Sequence, residues 1–577
     1  MKRPGTRRGA VPAGVGVVYQ IYPRSFMDAN GDGIGDLPGI LRRLDYLADL
    51  GIDAIWLCPI FASPMVDNGY DISDYQAVHP AFGTMEDLDR LIQEADRRGI
   101  RIFLDLVLNH SSDQHPWFKR ALSDPGPYRD FYLFRQGTGD GPPTNWRSIF
   151  GGSVWERLED SDTYYFHTFA KEQPDLNWEN PALRRELYRM IHWWIDKGIR
   201  GFRIDAITYI KKDQRFPNLP PDGSDGLADC APCCRVHPGI EAFLAEMRDE
   251  VFKPRGIFTV AEANGLGPGH LRDFIGENGF FSTYFDFTWA EIDIEAGIWH
   301  RRRHFSRREL REAIFANQAA VIAAGGHGAL YLENHDQNRS PDKYLSPRER
   351  VLEAGAEGAV RGPGALGKSL LAVLYFFLQG TPFIYQGQEL GMTNHTWKSL
   401  EEFDDLSTVD QYRRARAAGF TEAEALETAA YRSRDNGRLP FLWDDSAHAA
   451  FSTVTPWLPI HRDYRSLNAA AQAADPHSLL RFYRRMIRLR KSREPLFFEG
   501  SLEPRFLDRE GVFAYERRYQ EERLLVVCNF SADPCPLPLP GGRILLNNYR
   551  TEGSVPPGEY ALRPLEALVL ESGDISS

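Results

Sequence analysis

Three apolar segments of this 577-residue chain each end in a carboxylate. Asp205 follows Gly-Phe-Arg-Ile, Glu262 follows Phe-Thr-Val-Ala, and Asp336 closes the run Glu-Asn-His-Asp. Short runs of this kind are typical of buried strands, and a buried carboxylate is costly unless it is paired or needed for chemistry. We therefore expect the three side chains to meet at one edge of a parallel sheet.

Paired carboxylates of this kind could cleave a glycosidic bond, a reaction that needs a carboxylic acid at the leaving oxygen and a carboxylate at the anomeric carbon. Asp205 is suited to be the nucleophile, and Arg203, on the same face of the strand, would keep it ionised by lowering its pKa. Glu262 would be the proton donor, with its pKa raised by apolar and negative neighbours. Asp336 would fix the sugar and favour the charged transition state.

The elements that must position these residues alternate along the chain. Eight strand-like runs are separated by amphipathic helical stretches, which predicts an α/β fold, a (β/α)8 barrel. A doubly wound open sheet is the alternative, but no G-x-G-x-x-G follows the first strand. The predicted strands are 17–22, 54–59, 102–107, 202–207, 258–262, 283–287, 329–334 and 383–385, and the predicted helices are 37–50, 85–98, 181–197, 239–251, 308–324, 364–378 and 479–491.

Two long spacings and a change of pattern predict the domain organisation. Residues 1–110 and 174–494 would form the catalytic barrel, and 111–173, rich in Gly, Pro and aromatic residues, an inserted domain after the third strand. A second insertion, about 393–476, would follow the eighth strand. Short β runs and Pro-rich turns over 495–577 predict a C-terminal antiparallel β-sandwich.

Composition narrows the class of partner. A net charge of −12 argues against a nucleic acid or an anionic membrane surface as partner, and 12% aromatic residues permit the stacking of sugar rings. No signal peptide is apparent, and no segment is apolar for long enough to span a bilayer. Six cysteines do not make a disulfide framework for so long a chain, which favours a cytoplasmic protein. The sequence predicts no particular oligomeric state.

Ordered motifs along nearly the whole chain give it a family resemblance. It resembles the α-amylase family of retaining glycosidases, glycoside hydrolase family 13, and most of all its α-glucosidase and oligo-1,6-glucosidase branch. The motifs that carry the resemblance are Asp105-Leu-Val-Leu-Asn-His110, Gly201-Phe-Arg-Ile-Asp205, Val260-Ala-Glu262, Glu333-Asn-His-Asp336, Gln173-Pro-Asp-Leu-Asn177, Val18-Tyr-Gln-Ile-Tyr-Pro-Arg-Ser-Phe26 and Gly380-Thr-Pro-Phe-Ile-Tyr-Gln-Gly-Gln-Glu389.

The resemblance implies the same catalytic roles: Asp205 as nucleophile, Glu262 as acid/base and Asp336 as transition-state stabiliser. It also implies that His110 and His335 hydrogen-bond hydroxyls of the sugar that is cleaved. No cofactor is implied for catalysis.

Further residues would form the rest of the sugar pocket. Tyr70 would stack beneath the sugar, and Phe150 and Phe169 match apolar pocket residues of the branch, although a core role is an equal alternative for both. Asp67 and Arg438 resemble an ion pair that closes the far wall. A closed wall would make the enzyme exo-acting, so that it releases one glucose at a time.

The residue after the nucleophile bears on linkage. Relatives with Val there are typically α-1,6 specific, whereas Ala or Thr accompanies α-1,4 cleavage, so Ala206 predicts activity on maltose and short α-1,4 oligosaccharides. Three departures from the branch, Ala263, Asn338 and Leu439 after Arg438, fall where the leaving sugar should bind, and they leave linkage and acceptor preference open.

An Asp/Asn/Gly loop near the N-terminus could hold a metal ion. Oxygen side chains at alternate positions suit a hard cation, and the family often carries a structural Ca²⁺ or Mg²⁺ here. The alternative is an Asp/Asn/Gly turn without an ion. The ligands that the resemblance implies are Asp28, Asn30, Asp32, Ile34 and Asp36.

Two classes of function follow. The first is a retaining, exo-acting α-glucosidase that acts on small oligosaccharides and can also transfer glucose; its variants are an oligo-1,6-glucosidase and a trehalose- or sucrose-acting enzyme. The second is a catalytically silent partner subunit like the heavy chains of amino-acid transporters. Those carry a membrane anchor and have lost catalytic carboxylates, whereas this sequence keeps all three, so we expect an enzyme.

Overall fold

Eight parallel strands close into a barrel in the computed structural model, which describes residues 15–572 except 125, 140, 224, 296–297, 356–357 and 551. Each strand pairs with its neighbours in chain order, and the first pairs with the last. The strands are β1 Val18–Ile21, β2 Ala54–Leu57, β3 Arg101–Val107, β4 Gly201–Asp205, β5 Phe258–Glu262, β6 Thr283–Phe285, β7 Gly328–Leu330 and β8 Gly380–Tyr385. The predicted (β/α)8 barrel is confirmed.

Helices follow the strands around the outside of the barrel. Several begin at side-chain caps that the sequence encodes: Thr84 and Ser306 form capping boxes, and Ser478 accepts a hydrogen bond from the backbone N–H of Arg481. The helices are α1 Leu37–Arg42, α2 Leu44–Leu50, α3 Met85–Arg97, α4 Pro181–Asp196, α5 Ile240–Met247, α6 Leu271–Ile275, α7 Arg307–Ala323, α8 Ala365–Phe376 and α9 Leu479–Ser492.

The barrel interior is filled by large side chains, as the alternation of a closed sheet requires. Trp56, Phe103, Phe258, Phe285 and Phe383 are all nearly inaccessible to solvent and belong to one cluster. Aromatic packing therefore fills the barrel below the carboxyl ends of the strands, where Asp205 and Glu262 lie.

The long connection after β3 contains a small sheet of its own. Strands Phe134–Gln136, Thr163–Phe166 and Trp155–Arg157 pair antiparallel in that order. A further short strand, Trp146–Arg147, pairs with Ala228–Asp229 from the connection after β4. The insertion is thereby tied to the mouth of the barrel next to the end of β4.

The connection after β8 folds back over the same mouth. It contains helices Leu406–Ala417 and Glu422–Arg432 and the single turn Asp435–Arg438 before α9 begins. The single turn is completely buried, so its charged side chains must find partners within the protein.

The C-terminal strands are all antiparallel. A six-stranded sheet packs against a two-stranded sheet through an apolar layer that includes Leu525, Leu537 and Leu568. The strands are β9 Ser501–Arg505, β10 Val512–Tyr519, β11 Glu522–Asn529, β12 Cys535–Leu539, β13 Gly542–Asn547, β14 Ser554–Val555, β15 Gly558–Leu562 and β16 Ala567–Glu571. The exact domain boundaries stay a prediction, and residues 1–14 and 573–577 lie outside the described part.

Several strands are shorter than predicted, and the difference is largest in β7. The sequence suggested a strand over 329–334, but β7 ends at Leu330. The chain leaves the sheet there because Glu333 turns away to bind the Arg339 side chain and the backbone N–H of Ser340. The run Glu333 to Asp336 is consequently a loop that crosses the barrel mouth.

Candidate active site

One guanidinium organises the carboxylates at the barrel mouth. Arg203 Nη1 lies 2.6 Å from Asp205 Oδ1 and 2.8 Å from Asp105 Oδ1, and Nη2 lies 3.0 Å from Glu262 Oε1. These residues come from β3, β4 and β5, which are adjacent strands, so the barrel register brings them together. Three carboxylates share a single cation, so the cluster retains excess negative charge.

Burial dominates the titration of this cluster. It raises the pKa of Asp205 and of Glu262 to about 7, and that of Asp105 to about 6, although the Arg203 charge opposes the shift in each case. The prediction that Glu262 has a raised pKa is supported. Arg203 lowers the pKa of Asp205, as predicted, but desolvation and the nearby Asp105 charge outweigh this effect, so the pKa of Asp205 ends above its usual range.

Asp336 is held in the opposite electrostatic state. Its Oδ1 lies 3.2 Å from Arg438 Nη2 and 3.5 Å from Arg434 Nη1, and its Oδ2 lies 3.0 Å from His335 Nε2. Burial would raise the pKa of Asp336, but His335 and the two arginines together hold it well below its usual range. Asp336 is therefore the one firmly ionised carboxylate at the mouth.

The ion pair at the far wall differs from the sequence prediction. Asp67 Oδ1 pairs with Arg434 Nη2 at 3.1 Å, not with Arg438. Arg438 is 0% exposed and donates to the carbonyl oxygen of His335 at 3.1 Å, so it supports Asp336 from behind the pocket wall. The two arginines are four residues apart on one buried turn, and only the nearer one reaches Asp67.

A hydrogen-bond chain orients His335. Gln20 Nε2 donates to His335 Nδ1 at 2.8 Å, so the ring proton is on Nε2, which faces Asp336 and the Tyr70 hydroxyl. Tyr70 in turn donates to Asp105 Oδ2 at 3.0 Å. Burial lowers the pKa of His335, and the neutral ring is a hydrogen-bond donor at the pocket.

His110 is on the other side of the pocket. Its Nε2 lies 3.2 Å from Gln173 Nε2, which also donates to Asp67 Oδ2 at 3.2 Å. Burial lowers the pKa of His110 to about 4, so the ring is neutral near pH 7. Because Gln173 contacts both residues, His110 and Asp67 are held in one polar wall.

Aromatic rings complete the opposite wall. The Phe169 ring lies 5.2 Å from His110 and 5.5 Å from Phe150, and the Arg434 guanidinium lies over Phe150 at 5.5 Å. Both phenylalanines are partly exposed and come from the insertion after β3. Their position between pocket residues favours the pocket role over the core alternative.

Ala206 adopts an unusual backbone conformation directly after Asp205. Its φ of 42° and ψ of 33° lie in the left-handed region, which non-glycine residues rarely occupy. The conformation turns its N–H towards Glu262, whose Oε2 accepts it at 2.7 Å. Local strain at Ala206 thus fixes the relative position of the two carboxylates.

The candidate metal loop lies apart from the pocket. Asp28 accepts from the backbone N–H groups of Gly31 and Gly33, and Asp36 accepts from that of Gly39. Asn30 Nδ2 donates to Asp32 Oδ2 at 3.0 Å, and Ile34 N–H donates to Asp32 Oδ1 at 2.8 Å. The all-oxygen donor set fits a hard cation in kind.

The carboxylates of this loop are not grouped around a common point. Within the described residues, no group of three or more His, Cys, Asp or Glu side chains is placed to hold a metal ion. Backbone N–H groups already engage the loop's carboxylates, so the cation stays a prediction.

Sequence reasoning missed three site residues. One is Arg434, which lies in Ser-Arg-Asp-Asn, four residues before the predicted Arg438. The other two are Gln20 and Gln173, which the quoted motifs contain but to which no role was assigned. Their polar side chains, one near a strand end and one after the insertion, could have indicated a place in the site.

Comparison with known proteins places this geometry among carbohydrate enzymes. Residues 20–500 match the model of the alpha amylase catalytic domain, and 505–557 match the maltogenic amylase C-terminal domain. An oligo-1,6-glucosidase of Parageobacillus thermoglucosidasius is 39% identical over 96% of this chain and 97% of its own length. A trehalose-6-phosphate hydrolase of Bacillus subtilis is 39% identical over the same shares.

A solved structure agrees with these relatives. Isomaltulose synthase from Klebsiella sp. LX3 superposes with a TM-score of 0.89 at 35% identity, covering 99% of this chain and 100% of that chain. Among the residues that the structure describes, no helix combines the length and apolar character needed to cross a membrane.

Proposed function

Because this chain belongs to the α-amylase family of glycoside hydrolases, family 13, we propose that it is a retaining, exo-acting α-glucosidase that releases glucose from short oligosaccharides. It is a glycoside hydrolase of the α-glucosidase type and its substrate is a carbohydrate. The observation that carries the finer proposal is the arrangement of Asp205, Glu262 and Asp336 around one pocket whose far end is closed by Asp67 and Arg434.

The reaction proceeds in two displacements. Asp205 attacks the anomeric carbon while Glu262 gives its proton to the leaving oxygen, which produces a glucosyl-enzyme ester. Glu262, now a carboxylate, then takes a proton from water, and the water oxygen attacks the same carbon as the ester bond to Asp205 breaks and the Asp205 carboxylate leaves. Two inversions leave the released glucose in the α configuration.

Electrostatics support these roles. A Glu262 pKa of about 7 keeps a proton available at neutral pH, and the charge of Asp336 stabilises the oxocarbenium-like transition state. The Arg203 guanidinium lies 2.6 Å from Asp205 and 3.0 Å from Glu262, so it stabilises a negative charge on Asp205 more strongly than one on Glu262.

The closed far wall supports exo action. Asp67 accepts from Arg434 and from Gln173, which leaves the sugar at the non-reducing end no path beyond this wall. Their charged and amide groups suit the terminal hydroxyls of glucose. A long chain can therefore enter only with its non-reducing end first, and one glucose is released in each cycle.

Three candidate linkages have separate support. Ala206 favours α-1,4 bonds, because its small side chain leaves room for a leaving sugar close to the end of β4. The names of similar proteins, among them several oligo-1,6-glucosidases, favour α-1,6 bonds instead. The names of the similar trehalose-6-phosphate hydrolases support a third candidate, α-1,1 bonds.

A product profile tests the proposal. The purified enzyme would be given maltose, isomaltose, trehalose, sucrose and maltotriose separately, and kcat/KM and products would be measured for each. We expect glucose as the first small product from maltotriose and the highest kcat/KM on maltose. Highest activity on isomaltose would support the second candidate, and sucrose rearranged without glucose release would contradict hydrolysis.

A further inference from the structure

A second cavity lies on the same face of the barrel as the catalytic pocket. Its volume is about 140 Å³, and it opens between the first turns of α8 and α9, the helices that follow β7 and β8. Helices of a (β/α)8 barrel begin at the carboxyl ends of the strands, where loops after the seventh and eighth strands frequently bind phosphate. The lining includes Arg361, Lys368, Gln472 and Asp475.

Lys368 is a buried cation without a partner in the described part of the chain. It is 8% exposed, lines the cavity, and makes no side-chain hydrogen bond or ion pair there. The three carboxylates whose charges reach it each pair with an arginine instead: Asp342 with Arg350, Asp463 with Arg462 and Glu333 with Arg339. A buried ammonium that forms no ion pair is costly, so its position favours an anion as its partner.

The surrounding backbone adds to the positive potential. Lys368 is in the first turn of α8, where the helix dipole is positive, and no side chain caps this helix at Gly364. Leu479, the first residue of α9, also lines the cavity, but the N–H groups of Leu480 and Arg481 in this helix already donate to side chains, so the backbone donors come from α8.

Two further charged side chains, one of each sign, line the cavity beside Lys368. Arg361 is exposed at the entrance and adds a second cation. Asp475 is the one carboxylate of the lining, and its Oδ1 already accepts from the backbone N–H of His477 at 2.9 Å. Gln472 donates to the carbonyl oxygen of Leu390 and accepts from Leu480 N–H, so its amide is also engaged.

We propose that this cavity binds a phosphate-class oxyanion: inorganic phosphate, or the phosphoryl group of a sugar phosphate whose remainder projects past Arg361. The Lys368 ammonium contacts the anion and the α8 N-terminus adds backbone donors. The site is separate from the sugar pocket and does not depend on the proposed linkage or mechanism.

The site has a route to the sugar pocket. Ser466, Leu467 and Gln472 in its lining belong to the connection after β8, the same connection that supplies Arg434 to the far wall. A bound anion holds this connection against α8. Burial lowers the pKa of Lys368 to about 8, so the ammonium is charged at pH 7 and binding weakens above pH 8.

Titration of the full-length enzyme tests the proposal. Isothermal calorimetry and thermal unfolding would be measured with sodium phosphate, with glucose 6-phosphate and with NaCl at equal ionic strength. We expect saturable binding and a rise in Tm with the phosphates that NaCl does not reproduce. Tighter binding of inorganic phosphate would identify the free anion as the ligand, and tighter binding of glucose 6-phosphate would identify a phosphate monoester.

Variants decide whether the assigned residues are responsible. Lys368→Gln should weaken binding at least about tenfold, because a hydrogen bond to a charged group contributes that much. Arg361→Glu, at an exposed position, should also weaken it and keeps the test valid if Lys368→Gln fails to fold. Arg348→Gln, an exposed arginine on the same β7–α8 connection, should bind like the natural enzyme. Absence of saturable binding, or equal affinity in Arg361→Glu, would overturn the proposal.

Discussion

Asp67 and Arg434 form an ion pair of 3.1 Å between the connection after β2 and the connection after β8. Both side chains are largely buried, and Gln173 from the insertion after β3 joins them through Asp67. Three separate segments thus meet at one point, and that point is the end of the sugar pocket.

The first prediction concerns this pair. Arg434→Gln should lower kcat/KM on maltose by roughly 10²-fold, because a hydrogen bond to a charged group contributes about 1.5–3 kcal/mol and the far wall loses one such bond. Asp67→Asn should act similarly, and the double variant should lose far less than the sum of the two. Steady-state kinetics of the three variants measure the coupling, with Arg413→Gln, an exposed arginine nearby in sequence, as control. Strictly additive losses would mean that the two side chains act separately.

Much of the fold was predictable because its signals are local. Eight apolar runs separated by amphipathic stretches predicted the barrel, and Asp205 and Glu262 were found because a carboxylate at the end of a buried strand is conspicuous. The predictions that failed depended on contacts between residues that are distant in sequence. Arg434 and Arg438 have the same residue type four positions apart, and no local pattern says which one reaches Asp67.

The net rise in the pKa of Asp205 could not be predicted from the sequence for a related reason. The sequence shows Arg203 two positions away, but it does not show that Asp105 and Glu262 share the same guanidinium. The early end of β7 likewise depends on Glu333 binding Arg339, a contact made only in the folded chain.

The second prediction concerns linkage. Ala206→Val should lower the ratio of kcat/KM on maltose to that on isomaltose by about tenfold or more, because one or two methyl groups in a pocket are worth about 1–3 kcal/mol. The β-branched side chain is also strained at a φ of 42°, so a loss of stability of about 1–3 kcal/mol should accompany it.

Ala206→Gly is the matched control for this change. Glycine tolerates the left-handed backbone and adds no side chain, so both the ratio and the stability should stay near those of the natural enzyme. An unchanged ratio in Ala206→Val would show that another residue sets the linkage.

The third prediction is a pH profile. Catalysis needs a proton on Glu262, and burial raises the pKa of Glu262 and that of Asp205 to about 7. The proton donor is active below that value and is lost as pH rises through it, so kcat/KM should fall on the alkaline side with an apparent pKa near 7. Glu262→Gln, assayed on an activated aryl glucoside that needs no acid, should lack this alkaline limb. A flat profile up to pH 9 in the natural enzyme would be inconsistent with the assignment.

The fourth prediction concerns the loop of Asp28, Asn30, Asp32, Ile34 and Asp36. If it binds Ca²⁺ or Mg²⁺, chelation should lower Tm and re-addition should restore it, since a bound ion stabilises the folded state. Asp32→Ala should remove the response while leaving kcat unchanged. Asp45→Ala, an exposed aspartate on α2, is the control. A Tm that does not respond to chelator would exclude the ion.

The central claim is that Asp205 and Glu262 perform a double displacement. Proton NMR of the anomeric region during the first minutes of maltose hydrolysis tests it most directly, with Asp205→Asn as the inactive control. Glucose released from the non-reducing unit should appear first as the α-anomer and then mutarotate, because two inversions retain the configuration. Initial release of β-glucose would mean a single displacement by water and would contradict the assigned roles of both residues.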